Sequence, residues 1–213
     1  MIRILFAVIV LFFAGCSSQP APAWQQDGNT TMTNFINSYM EGNDKFAENY
    51  YLKLEESLKL TADPDIMVIA PLTKCAMNIA LLEDYGCEEA QPFVAALKKK
   101  DNIKYFNFVS GKVSDLPLRY KDFVKSSSAC LTETINLKIK KLPEPLSKII
   151  ASSVVVRNKC YDEKTLINAV DTASAEGWKK AALKYLDLLL KFYEEKGYTE
   201  KAGSIQKRIE LAQ

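Results

Sequence analysis

The chain has 213 residues, 48% of them apolar and 25% charged, with a formal net charge of +2 at pH 7. A charge this close to zero, with both signs interspersed, excludes the basic surface that binds nucleic acid, while the apolar content suffices for a sizeable core. There is no histidine, which removes the commonest general base and the commonest metal ligand.

The N-terminus carries one cation, Arg3, and then the uncharged run ILFAVIVLFFAG up to Cys16. Twelve residues of helix reach about 18 Å, short of the roughly 30 Å hydrocarbon core, so the pattern is that of a targeting segment with an n-region and an h-region. The following SSQPAPAWQQDGNTT is small, polar and rich in proline, the composition of an extended tether. The expected organisation is a signal peptide over 1–15, a flexible tether over 16–30 and a single α-helical domain over 31–213.

Phe13, Ala14, Gly15 and Cys16 resemble the lipobox of bacterial lipoprotein signal peptides, with Phe13 in place of the usual leucine. The resemblance implies cleavage before Cys16, a diacylglyceryl group on its sulfur and further acylation of its amine by chains such as palmitate. Each buried methylene adds about 0.8 kcal/mol, so two or more chains make a stable anchor. Ser17 stands where this family often has an aspartate that retains the protein at the inner membrane. The resemblance therefore implies a lipid-anchored protein of the bacterial cell envelope, at the outer membrane and facing the periplasm.

Along the rest of the chain, apolar residues recur at helical spacing. The stretch TNFINSYMEGNDKFAENYYLKLEESLKL predicts a hairpin, with one stripe through Phe35 and Tyr39, a turn at EGND, and a second stripe through Ala47, Tyr51, Leu54 and Leu58. Asp63 and Pro64 read as the cap and first turn of a buried central helix that restarts or kinks at Pro71 and ends at Gly86. CEEAQPFVAALKKK predicts a short helix with Phe93, Val94 and Leu97 inward; the near-alternating NIKYFNFVSGKVS is compatible with two short strands around Gly111 or with a short helix ending there, and its helical neighbours favour the helix. Further helices are expected to start near Pro117 and Pro145. Leu166, Val170 and Ala173 form one stripe, broken at Gly177. The run WKKAALKYLDLLLKFYEEKGY is an amphipathic helix stopped at Gly197, and Ala202, Ile205, Ile209 and Ala212 mark a closing one. The lysine clusters Lys98 to Lys100 and Lys138 to Lys141 read as solvated helix ends whose cations complement the dipole.

Four cysteines remain beside Cys16, and in an oxidising compartment they allow two disulfides in three connectivities. The sequential pairing, Cys75 with Cys87 and Cys130 with Cys160, is favoured because each bond would join neighbouring elements of a hairpin. No C-x-x-C spacing offers a thiol oxidoreductase site.

The turns EGNDKFA, DYGCEEA and EKGYTEKA each place a glycine shortly before an alanine that opens the next helix. This is similar to tetratricopeptide-type helical repeats, where a small residue lets the second helix pack closely on the first. The rest of that repeat signature is absent. The expected fold is all-α: antiparallel helical hairpins arranged as a tetratricopeptide-like solenoid or an orthogonal bundle.

Chemistry is sparse. No G-x-S-x-G, P-loop or G-x-G-x-x-G motif occurs, and SIQK, Ser204 to Lys207, has only the S-x-x-K spacing without a partner motif. Adjacent carboxylates (Asp63 and Asp65, Glu55 and Glu56, Glu88 and Glu89, Glu194 and Glu195) read as solvated faces and dipole partners. No catalytic residue, metal ligand or cofactor is expected. Tyr50 and Tyr193 are the candidates for lining a partner groove. The functional expectation is a lipid-tethered helical module that binds an envelope protein as a scaffold or accessory factor in assembly or secretion. The alternatives are an envelope hydrolase acting on glycan or peptide through carboxylates, and a surface-exposed adhesin or ligand binder.

Overall fold

A computed structural model describes residues 23–84, 86–111, 120 and 130–212. Among them every regular element is helical, and consecutive helices pack as hairpins. Cys16, the signal segment and the expected helix start at Pro117 lie outside the described residues.

The first hairpin joins α1 (Ala23–Glu41) to α2 (Asp44–Lys59). Its seam is the predicted one, with the Phe35 ring tilted against that of Tyr51 at 5.2 Å between centroids and Leu54 and Leu58 buried. Gly42 turns the chain at φ +89°, and Asn43 donates its N–H back to the carbonyl of Ser38 at 2.8 Å, closing the end of α1. A side chain at Gly42 would also meet Lys180, whose Cβ would lie 3.4 Å away. The tether reading needs correction here: α1 already begins at Ala23, inside the expected 16–30 tether. Burial explains the extension, because Gly28 is covered by Leu58 of α2 and the hairpin holds the polar sequence helical.

Helix α3 (Pro64–Met67) is capped by Asp63, whose carboxylate accepts from the N–H of Asp65 at 2.9 Å. The break then comes at Val68, ahead of the expected Pro71, and α4 spans Ile69–Ala80. The reason lies in proline geometry: the ring at position 71 clashes with the carbonyl four residues back, at Met67, and removes the bond that would have joined the two helices. Helix α4 ends at Ala80 rather than Gly86, with Leu82 at φ +58°.

A 3-10 helix (Glu88–Ala96) and α5 (Lys100–Val109) follow. Lys98 to Lys100 therefore stand at the N-terminus of α5, where cations oppose the dipole, contrary to the expected C-terminal placement. Asp65 supplies the compensating charge. Its buried carboxylate accepts from the N–H of Lys98 at 3.0 Å, from that of Lys99 at 3.0 Å, and from the Asn102 amide at 3.0 Å. Lys138 and Lys140 do lie in the last turn of α6 (Thr132–Lys140).

Helix α7 (Pro145–Arg157) begins at its proline as predicted and shares the central position with α4. Ile149 to Val155 are buried all round, and the two serines among them are satisfied within the helix: Ser152 Oγ donates to the Lys148 carbonyl and Ser153 Oγ to that of Ile150. Helices α8 (Glu163–Ala175), α9 (Lys179–Glu195) and α10 (Thr199–Ala212) then stack in succession, with turns at Gly177 and Gly197. Helix α1 returns to pack on α9 and α4, so the N-terminal hairpin closes onto the C-terminal helices around one continuous core. Among the described residues no helix is long and apolar enough to cross a membrane.

Candidate binding groove

Where α1 crosses the α8–α9 turn, Trp178 is the structural pivot. Gly177 takes φ +73°, the Trp178 N–H donates to the Ala173 carbonyl at 2.9 Å, and the indole ring is thereby turned inward to 3% exposure. Its Nε1 donates to the Asn37 side-chain oxygen at 2.9 Å, tying α1 to the turn. An open groove of about 450 Å³ runs beside this junction. Met32, Thr33 and Ile36 of α1 form one wall, Thr73 and Ala76 of α4 the floor, and Tyr105 of α5 with Pro145 and Leu146 of α7 the other wall.

Two carboxylates sit at the groove's edge. Glu144 is the residue preceding α7 and accepts from Ser147 Oγ at 2.9 Å; Glu176 closes α8. Both are exposed. A second cleft of about 380 Å³, lined by Lys140, Lys148 and Asp171, shares Pro145 and Glu176 with the first. A concave, largely apolar surface with a few polar groups at its margin suits capture of a ligand or polypeptide segment.

The two tyrosines nominated from the sequence are not brought together here. Tyr193 is a correction: it is 5% exposed, packed in the corner of α8, α9 and α10, and its hydroxyl donates to Glu163 Oε1 at 2.7 Å. Lys201 donates to the same oxygen at 2.8 Å and stands 5.3 Å above the Tyr193 ring. Burial first, then the bond to Glu163 and its negative charge, push the Tyr193 hydroxyl up to about 12. Tyr50 is half-buried on α2, with Lys53 5.9 Å above its ring, and does not line the groove. The residues that do were not singled out by spacing, because a helical period gives each helix its inward face and says nothing of which helices share a crevice.

Tyr39 likewise acts as a neutral donor. Tyr39 donates to Asn78 Oδ1 at 2.6 Å under the Lys180 ammonium, 4.6 Å from its ring; burial, reinforced by Glu83, Asp44 and Glu89, raises it to about 12.

Several of these carboxylates serve the structure itself. Asp63 caps α3 and Asp65 anchors α5, while Glu89 accepts from Lys74 at 2.7 Å. Asp162 caps α8, accepting from the N–H of Thr165 at 2.9 Å and from the Asn136 amide of α6 at 2.9 Å. Ser204 donates to the Glu200 carbonyl of its own helix at 3.0 Å, on an exposed face. Among the described residues no cluster of three or more Cys, Asp or Glu is placed to hold a metal ion.

The cysteines stand as the sequential pairing requires. Cys75 and Cys87 have Cα atoms 5.4 Å apart, and Cys130 and Cys160 5.2 Å apart, both at disulfide distance. The first pair fixes the start of the 3-10 helix to α4; the second fixes the approach to α6 to the end of α7.

The chain matches no protein-family model, no curated protein and no solved structure.

Proposed function

We propose that this chain is a lipid-anchored protein of the bacterial envelope whose helical domain binds a partner protein in the groove beside Trp178, as a scaffold or accessory factor in assembly or secretion. The groove carries the reading: about 450 Å³ of concave, largely apolar surface between helical hairpins, with the Trp178–Asn37 bond along its lining. Its anchoring rests on the Phe13 to Cys16 resemblance, and an N-terminal lipid would hold the domain near the membrane without a spanning helix. The carboxylate pairs favour binding over hydrolysis, since Asp63, Asp65 and Glu89 already serve caps and an ion pair.

In-cell crosslinking of the native protein followed by mass spectrometry tests this. Thr33 is exposed at the groove mouth, so Thr33→Trp fills the mouth while leaving the core intact. One dominant envelope partner, captured by the native chain and lost from both Thr33→Trp and Cys16→Ala, is the expected result. A partner retained by Thr33→Trp places binding elsewhere.

A further inference from the structure

The two cysteine pairs sit in different surroundings. Cys75 and Cys87 are both buried, which shields each from an external thiol. In the second pair Cys160 is buried but Cys130 is exposed. Both ends of this pair also stand on left-handed backbone, Cys130 itself at φ +41° and Lys159, the neighbour of Cys160, at φ +54°. Residues with a side chain adopt that region at a cost, so the junction is held against local preference.

The junction secures α6. That helix has nine residues, too few to persist alone in water, and its N-cap residue, Leu131, makes no side-chain capping bond. Its remaining ties converge on the same place. Thr132 and Asn136 both bond the carboxylate of Asp162, two residues beyond Cys160, and Ile135 and Ile139 are buried where α6 packs on α7 and α8.

We infer that Cys130–Cys160 is a redox-operated clasp, which a dithiol reductant opens while the rest of the fold stands, so that α6 frays from α7 and α8. The step is thiol–disulfide exchange. A thiolate of the reductant attacks Sγ of Cys130, on the exposed residue, and the electron pair of the broken S–S bond leaves on Sγ of Cys160, which takes up a proton. The reductant's second thiol then displaces Cys130, so the protein gains two thiols and the reductant closes its own disulfide. Without the crosslink α6 keeps only the Asp162 bonds and two isoleucines, and an element held so lightly opens locally, well below the cost of global unfolding. Ile139 and Lys140 line the cleft beside Pro145, so opening remodels that cleft as well. The clasp stands independently of the groove as a partner site.

The test is a redox titration of the full chain in detergent micelles with dithiothreitol and its oxidised form. Alkylation of quenched aliquots, read by mass spectrometry, reports all four cysteines in one sample, and hydrogen exchange reports the amides of α6. Cys130 and Cys160 are expected to open at a reductant ratio about tenfold lower than Cys75 and Cys87. In that window the α6 amides should exchange about tenfold faster while those of α4 and α9 stay protected, and reoxidation should restore them. Cys130→Ser/Cys160→Ser should show the fast α6 exchange without reductant; the titration of the native chain decides the matter even where that variant does not fold. Simultaneous opening of both pairs overturns the inference, as does an α6 that stays protected after its pair has opened. Protection lost equally from α4 and α9 overturns it too, because the pair would then serve the global fold.

Discussion

The hydroxyl of Tyr185, on α9, donates to the main-chain oxygen of Ala80, the last residue of α4, at 2.9 Å. It also lies 3.2 Å from the Ile149 carbonyl of α7, so one phenol links the two central helices to the C-terminal stack. The side chain is wholly buried, and burial raises its pKa, which keeps the group a neutral donor. Replacing it with phenylalanine keeps the ring and takes this donor from the buried carbonyl of Ala80, while the Ile149 carbonyl stays in the hydrogen-bond ladder of its own helix. Tyr185→Phe is expected to lose about 1–3 kcal/mol in chemical denaturation, and Tyr185→Ala about 3–5 kcal/mol because a cavity is added.

Acid sensitivity should trace to Asp65. Burial by itself would raise this carboxyl, but the N–H groups of Lys99 and Lys98 and the Asn102 amide outweigh it and hold the pKa below the usual range. A carboxyl depressed in the folded state binds its proton less readily there than in the unfolded chain, so its stabilisation is present above the unfolded pKa and is lost as pH falls through the folded one. Asp65→Asn should be less stable than the native chain at neutral pH, and the difference should close as pH drops below the carboxylate range. Urea midpoints across pH 2–7 read this directly. A constant gap at every pH would assign the loss to packing.

Reduction should loosen the fold in two places. The cysteine pairs close chain segments with separations of 12 and 30 residues, for which chain entropy gives about 3 and about 4 kcal/mol. The oxidised protein is expected to take up alkylating reagent at none of Cys75, Cys87, Cys130 and Cys160 until it is reduced and unfolded, as read by intact mass. Cys130 is exposed and Cys160 buried, so their bond should be the first reduced under native conditions.

The sequence announced the helices far better than their arrangement. Where a stripe is strongly amphipathic, as in α2 and α9, the predicted inward residues Leu54, Leu58, Tyr185 and Leu189 are the buried ones. Polar residues lie in the interior where the fold satisfies them internally. Ser152 and Ser153 sit in the buried stretch of α7 because their hydroxyls bond back to their own helix. Asn136 reads as a surface residue, yet it is 2% exposed, donating to Asp162 and accepting from Thr165 Oγ1. The groove was hidden for another reason. Asn37 and Trp178 are 141 residues apart, and their bond depends on α1 returning to α9, which no local spacing encodes.

Processing at Cys16 makes its own prediction. Cells grown with labelled palmitate should yield a labelled mature chain that starts at Cys16, with its mass increased by the diacylglyceryl group and any amine-linked acyl chain. Cys16→Ala should be unlabelled and should leave the membrane fraction. Labelling that persists in that variant would point to a different modified residue.

The claim on which the account stands is that the surface beside Trp178 contacts a partner in the cell. A photoreactive amino acid at Thr33, at the groove mouth, and another at Leu137, 55% exposed on α6, measure it most directly. Irradiation of living cells should give a discrete adduct from position 33 and none from position 137, and the adduct should disappear when Cys16→Ala removes the anchor. Equal adducts from both positions, or adducts from position 137 alone, would contradict the assignment of the groove as the binding surface.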